Sequence, residues 1–238
     1  MDGALVSPTT VCGRYILAEK ALAERALEVD QIHWNYEVSY NVAPTQAVPV
    51  VRSVPDEREG IFHREGVLMR WGLVPFWARG VPPKFSTINA TVERFETAPA
   101  FRDAWARGQR CILPCAGFYE WHVAPDGRKE PFFIKLVDRE VFGFAGLWER
   151  SRTAEGEWVA SCTLLTMPAN KLMGEIHNAK QRMPVILSAE DHQAWLRGSA
   201  AEAKATLRAY PDDLMLAYRV GPRVSSPKNN DPQLIEPI

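Results

Sequence analysis

The chain has 238 residues, 46% of them hydrophobic, with 28 Lys plus Arg against 29 Asp plus Glu. That composition fits an ordinary globular protein of one large domain or two small ones. A formal net charge of −1 argues against a surface coated in basic charge for capturing nucleic acid, but not against a local basic groove.

No apolar run reaches the ~20 residues that cross a bilayer. Residues 1–10 lack the basic start and apolar core of a secretion signal, so a cytoplasmic location without a membrane partner is expected. The four cysteines, at 12, 111, 115 and 162, have no spacing of a disulfide framework. Cys111 and Cys115 form a C-x3-C pair, but no second pair with ligand spacing follows. No metal or cofactor is therefore expected, and these two and Cys162 are assigned to the interior.

In chain order, Arg14 to Leu17 reads as a short strand, and 18–28 as a helix of strong helix formers with Leu22, Ala26 and Leu27 on one face. Tyr40 to Thr45 reads as a fixed loop, with Pro44 holding Ala43 extended. Gln46 to Ser53 and Ile61 to Trp71 alternate apolar and polar residues around the turn DEREG, as an antiparallel pair does. The aromatic stretch WGLVPFW is too broken by Gly and Pro for a regular element; its rings are either core or a platform for stacking bases. A helix follows near 99–107, then two strands over 110–122 broken at Pro114 and Gly117, and strands at 132–137, 141–148 and 158–166. Residues 168–176 form a helix, 177–184 a loop and 185–187 a short strand. Ser188 with Asp191 resembles a capping box for another helix; a helix near 200–209 and a strand near 214–220 close the series. The apolar Leu234 and Ile235 predict a tail that docks back. The pattern is one α+β domain with a mainly antiparallel, barrel-like sheet core and peripheral helices.

Several residues carry chemistry. Glu120, between Tyr119 and Trp121, is either a desolvated acid of raised pKa or an edge-strand carboxylate in water. His177, in a polar loop before Arg182-Met183-Pro184, is an acid–base candidate or a solvated histidine. Asn89 is a turn residue or a positioning amide. Arg14 and Arg182 are phosphate contacts or surface cations. Cys12, in Val11-Cys12-Gly13-Arg14, is a nucleophile or a small buried residue.

The blocks Cys-Gly-Arg, YNVAPT, WGLVPFW, INA, GFYEW, LLTMPAN and IH…RMPVIL occur in this order. The set resembles the SOS response-associated peptidase family, from Cys12 to the closing VSSPKNNDPQLIEPI. That resemblance implies a mature chain that begins at the cysteine and bonds covalently to abasic sites in single-stranded DNA in the DNA damage response. The Cys12 α-amine would form an imine with the ring-opened sugar, and its thiol would close a thiazolidine. The resemblance makes Glu120 the proton shuttle, His177 its assistant at the sugar oxygen and Asn89 the group that holds the amine or sugar hydroxyl. Arg14 and Arg182 become phosphate clamps, with Asn41, Pro44, Thr166, Trp77 and Trp121 shaping the groove. A monomer is expected, in the cytoplasm and nucleoid-associated when bound to DNA.

Two features depart from the family. Thr91 stands where an arginine is usual, so one backbone contact is lost or moved. Cys12 is not at the chain start, and an uncleaved Val11 would leave its nitrogen an amide. Residues 1–11 are thus expected to be absent from the mature protein, with 12–238 a single domain. Either Val11 is a misread GUG start or Cys12 removes the leader itself; the first is favoured. The competing reading is a cysteine-type (auto)peptidase using Cys12, His177 and Glu120 or Asn89.

Overall fold

A computed structural model describes residues 12–56 and 60–238, so the expectation for residues 1–11 and the centre of the DEREG turn lie outside the described residues. The chain opens with strand β1 (Arg14–Leu17) and helix α1 (Lys20–Ala26), then β2 (Gln31–Ile32), β3 (Ser39–Val42), β4 (Ala47–Asp56) and β5 (Ile61–Trp71). A long loop leads to β6 (Asn89–Thr91), α2 (Arg102–Ala106), β7 (Arg110–Cys115), β8 (Gly117–Val123), β9 (Lys129–Leu136), β10 (Phe142–Arg152) and β11 (Trp158–Pro168). Last come α3 (Lys171–Ile176), β12 (Arg182–Pro184), β13 (Ile186–Leu187), α4 (His192–Arg197), α5 (Ala200–Ala205) and β14 (Met215–Arg219).

The alternating pair pairs as its pattern requires, β4 against β5 from Ala47↔Arg70 to Asp56↔Ile61. β4 continues to β7, β7 to β10 and β10 to β11, and β11 returns in parallel to β5 at Ser161↔Arg70 and Cys162↔Trp71. The five strands thus close on themselves and leave no free edge between them. All five feed one core, with Val50, Met69, Ile112, Phe144 and Leu164 each fully or nearly fully buried. Cys111, Cys115 and Cys162 lie inside it, as small apolar residues do.

A second sheet runs β14-β9-β8-β1-β3. Both its faces are covered at the centre, which is why RYIL carries no polar face beyond Arg14: Tyr15 and Leu17 enter the main core, and Ile16 turns to a second cluster with Tyr119, Phe133, Val220, Val224 and Leu234. The tail docks on that outer cluster, with Leu234 buried and the Tyr218 hydroxyl donating to the Ile235 carbonyl at 2.9 Å.

The structure corrects several sequence-level boundaries. α1 is shorter than 18–28 because Glu28 adopts φ +50°, and Arg64 bonds the Leu27 carbonyl at 2.9 Å. The loop expected from Tyr40 begins only at Ala43, since Ser39–Val42 pairs with β1. The break between β7 and β8 falls at Ala116, with Pro114 paired inside β7. The expected loop over 177–184 contains β12, paired to β11. The capping box sits at Ser199 and Glu202, not at Ser188, because Asp191 is drawn into an ion pair with Arg208 at 2.6 Å. Among the described residues no helix is long and apolar enough to cross a membrane.

Candidate active site

β1 lies against β8 with Arg14 opposite Tyr119, so Cys12 falls beside the second half of GFYEW. Alternation along β8 turns Tyr119 and Trp121 to the outer cluster and Phe118 to the main core. Glu120 shares the inner face with Phe118 and is 1% exposed. The edge-strand reading in water is therefore wrong; the carboxyl is inside. Its Oε1 accepts a hydrogen bond from the Cys12 backbone N–H. Burial pushes its pKa up to about 8, against the smaller pull of backbone N–H groups from Cys12 and Trp121.

His177 caps the C-terminal end of α3, whose start is fixed by Asn170: its Oδ1 accepts from the Met173 N–H at 2.9 Å. The His177 ring is buried, not solvated. Its Nδ1 lies 3.1 Å from the Arg182 carbonyl oxygen, which can only accept, so Nδ1 carries the proton and Nε2 presents a lone pair. Nε2 is 4.0 Å from Glu120 Oε2. Burial lowers the His177 pKa and keeps the ring neutral at pH 7. At 4.0 Å the neutral carboxyl and neutral imidazole face one another without a direct hydrogen bond, and a closer approach would pair them as donor and acceptor. The Cys12 thiol, fully buried, is pushed well above its ordinary pKa by burial, then by Glu120 and Cys115. It rests as a thiol that needs a base to react. Cys12 also sits at φ +42°, a left-handed conformation costly for a non-glycine residue.

Arg182 extends this centre. Its guanidinium bonds the Thr166 carbonyl at 2.7 Å and forks onto Glu93 at 2.6 and 3.0 Å. The same fork lowers the Glu93 pKa. Thr166 stands opposite Thr91 where β6 runs parallel to β11, and Asn89 opens that short strand. Cys12, Glu120, His177, Arg182, Thr166 and the β6 segment of Asn89 are thus linked element by element.

The other predicted residues lie apart from this chain of contacts. Arg14 is buried, its guanidinium on Asn41 Oδ1 at 3.2 Å and the Val224 carbonyl at 2.9 Å. Asn41 donates to the carbonyls of Ser226 and Asn229, both at 2.9 Å, so this pair fastens the C-terminal segment. Pro44 lies in the turn before β4, where Thr45 has φ +76°. Trp121 packs on the outer cluster, on the opposite face from Glu120. Trp77 is 46% exposed, its Nε1 donating to the Pro99 carbonyl.

Two residues went unread in the sequence. Glu93 had no local signal. Asn178, next to His177, bonds the Val123 N–H at 3.0 Å and carbonyl at 2.9 Å, which pins the histidine loop to the strand that carries Glu120. Among the described residues no cluster of three or more His, Cys, Asp or Glu is placed to hold a metal ion.

Residues 11–227 match the sequence profile described as SOS response associated peptidase (SRAP). The chain is 38% identical over 232 residues to the abasic site processing protein YoqW of Bacillus subtilis, covering 95% of this chain and 99% of that one. It is 31% identical over 173 residues to the abasic site processing protein YedK of Escherichia coli, covering 68% and 73%. A crystal structure of a protein from Bacteroides thetaiotaomicron superposes with a TM-score of 0.83 at 27% identity, over 95% of this chain and all of that one.

Proposed function

The chain belongs to the SOS response associated peptidase family, and from that membership we propose that it processes abasic sites in DNA by bonding to them through Cys12. One observation carries this reading above the rest: the nitrogen of Cys12 is hydrogen-bonded to a buried carboxyl of raised pKa. That N–H donates to Glu120 Oε1, so in a chain that begins at Cys12 the same carboxyl lies within reach of the amine as its proton partner.

The working protein in this reading starts at Cys12. Its α-amine, with an ordinary pKa near ~8, is partly unprotonated at neutral pH. Opening of the lesion moves a proton from the C1′ hydroxyl to the ring oxygen as the C1′–O4′ bond breaks. With the amine in its neutral form, Glu120 supplies a proton and His177 Nε2 takes one. The amine adds to the aldehyde carbon, the carbinolamine oxygen is protonated and leaves as water, and an imine remains. The Cys12 sulfur then bonds to C1′ while the thiol proton passes through the Glu120 carboxylate to nitrogen. The product is a thiazolidine, formed with net loss of one water. Amine and thiol on one residue make this closure intramolecular. Asn89 orients the amine or a sugar hydroxyl from the start of β6. Single-stranded DNA without sequence preference is the partner, since bases stack on exposed rings such as Trp77 whatever their identity. Metal and cofactor have no step in this scheme, and the protein acts as a monomer.

A peptidase step on the chain itself is favoured by a separate observation. The left-handed Cys12 adjoins the Val11–Cys12 bond, and Glu120 stands at the nitrogen that would leave. Attack of the Cys12 sulfur on the Val11 carbonyl, with Glu120 protonating that nitrogen, frees the same amine after hydrolysis of the thioester.

Intact mass of the purified protein, before and after mixing with single-stranded DNA bearing one abasic site, tests both. The expected species starts at Cys12 and gains the DNA less one water. Cys12→Ala is expected to abolish this adduct while keeping salt-sensitive binding. An undiminished adduct in that variant, or an adduct on a chain still acylated at Cys12, overturns the proposal.

A further inference from the structure

The loop between β5 and β6 holds two large rings in water. Phe76 and Trp77, in the short 3-10 turn Phe76–Ala78, are 45% and 46% exposed. One exposed apolar side chain needs no explanation, but two adjacent rings fixed in place do. Their fixing is polar and comes from outside the turn. The Ser151 hydroxyl donates to the Phe76 carbonyl at 3.3 Å and accepts from the Gly80 N–H at 2.8 Å. Trp77 Nε1 bonds the Pro99 carbonyl at 3.3 Å.

Over the Phe76 ring lies the guanidinium of Arg107, its carbon 4.6 Å from the ring centroid. Arg107 is anchored from behind: Nη2 bonds Glu149 at 2.9 Å, and Nε bonds the Asp103 carbonyl at 3.1 Å. The Glu149 side chain is 3% exposed, whereas Arg107 is 47% exposed. If the cation existed only to neutralise Glu149, it would not need to lie half in solvent over an aromatic ring. Two bonds leave several of its five N–H donors free for a ligand.

We propose that Phe76 and Arg107 form an accessory nucleotide contact for single-stranded DNA. A base stacks on the open part of the Phe76–Arg107 pair, and the adjoining phosphate takes the remaining guanidinium N–H groups. Glu149 is a positioning residue that sets the angle of the fork. The proposal rests on the reading above only in taking DNA as the ligand. The loop carrying Phe76 ends at Asn89, so a strand engaged at the cysteine has a second hold along the same loop. The rings are neutral and the charge laid over Phe76 is the half-exposed Arg107 guanidinium, which suits a phosphodiester.

The test uses the full chain and a fluorescent single-stranded oligonucleotide of mixed sequence without any lesion, so no covalent step enters. Phe76→Ala is expected to weaken binding about tenfold. Arg107→Gln is expected to weaken it as well and to reduce the slope of log K against log salt by about 0.7. Arg107→Lys keeps the charge but not the fork or the stack; it should weaken binding severalfold with the slope unchanged. Thermal melting checks the Arg107 variants, which leave Glu149 poorly paired; Phe76→Ala removes a half-exposed ring, leaves the Arg107–Glu149 bond in place and keeps the test decisive. If Phe76→Ala and Arg107→Lys bind like the parent, or the parent binds no DNA, the inference falls. If the variants weaken DNA binding yet the parent forms no abasic adduct, the inference stands and the proposed function falls.

Discussion

Glu120 is a carboxyl whose surroundings favour the proton. Its pKa is raised from 4.5 to about 8 by burial. Across that window the folded chain retains a proton that the unfolded chain has released. The contribution of Glu120 therefore falls as pH rises from 4.5 to 8, on the order of 1 kcal/mol per unit, whereas buried His177 and His192, whose pKa values are lowered, contribute in the opposite sense below about 6.5. Melting at pH 6.5 and pH 8, above the titration of the buried histidines, should show this loss in protein still acylated at Cys12, and Glu120→Gln should largely remove it; an unchanged slope in that variant would contradict the assignment. In protein that begins at Cys12, an ammonium beside the carboxyl pulls its pKa down, so the slope should shrink. Cross-linking by Glu120→Gln is expected to be slower with binding intact, measured by adduct formation against time. Histidine and glutamate here keep opposite protonation preferences because burial disfavours charge on both.

Among the elements, α3 decides where His177 stands. Asn170 fastens both ends of its amide, Oδ1 to the Met173 N–H and Nδ2 to the Tyr210 carbonyl at 2.7 Å. Asn170→Ala should cost about 1 kcal/mol or somewhat more. Faster amide exchange should appear through α3 and the His177 loop, with cross-linking slowed; unchanged exchange there would mean the cap does not hold the helix. β8 has little freedom to adjust: a Cβ at Gly117 would meet the Phe133 ring at 2.3 Å and the Ile134 carbonyl at 3.0 Å. Strands with one wet face were legible in sequence, as β4 and β5 show, because alternation and a charged turn mark them. β6 was not, because three residues borrow their pairing from β11, far along the chain. The same limit applied to the site. Aromatic flanks made Glu120 a candidate, but which face of β8 it occupied depended on what covered the other face. Arg14 and Asn41 were visible as polar residues, while the carbonyls that engage them lie near the opposite end of the sequence.

The whole molecule depends on that returning end. A chain stopped after Arg223 loses Val224 and Leu234 from the outer cluster, about 3–6 kcal/mol of apolar burial. It also strips Arg14 and Asn41 of their carbonyl acceptors. Urea unfolding should show a clearly lower midpoint. An unaltered midpoint together with tighter DNA binding would favour Arg14 as the phosphate clamp that the family resemblance implies.

The ring of five strands shuts where Cys162 comes beside Trp71, and this ordering has a consequence during synthesis. His177 follows the closing strand in the chain, so its imidazole emerges after Cys12 and Glu120, and the centre proposed above can assemble only once that strand and α3 have been made.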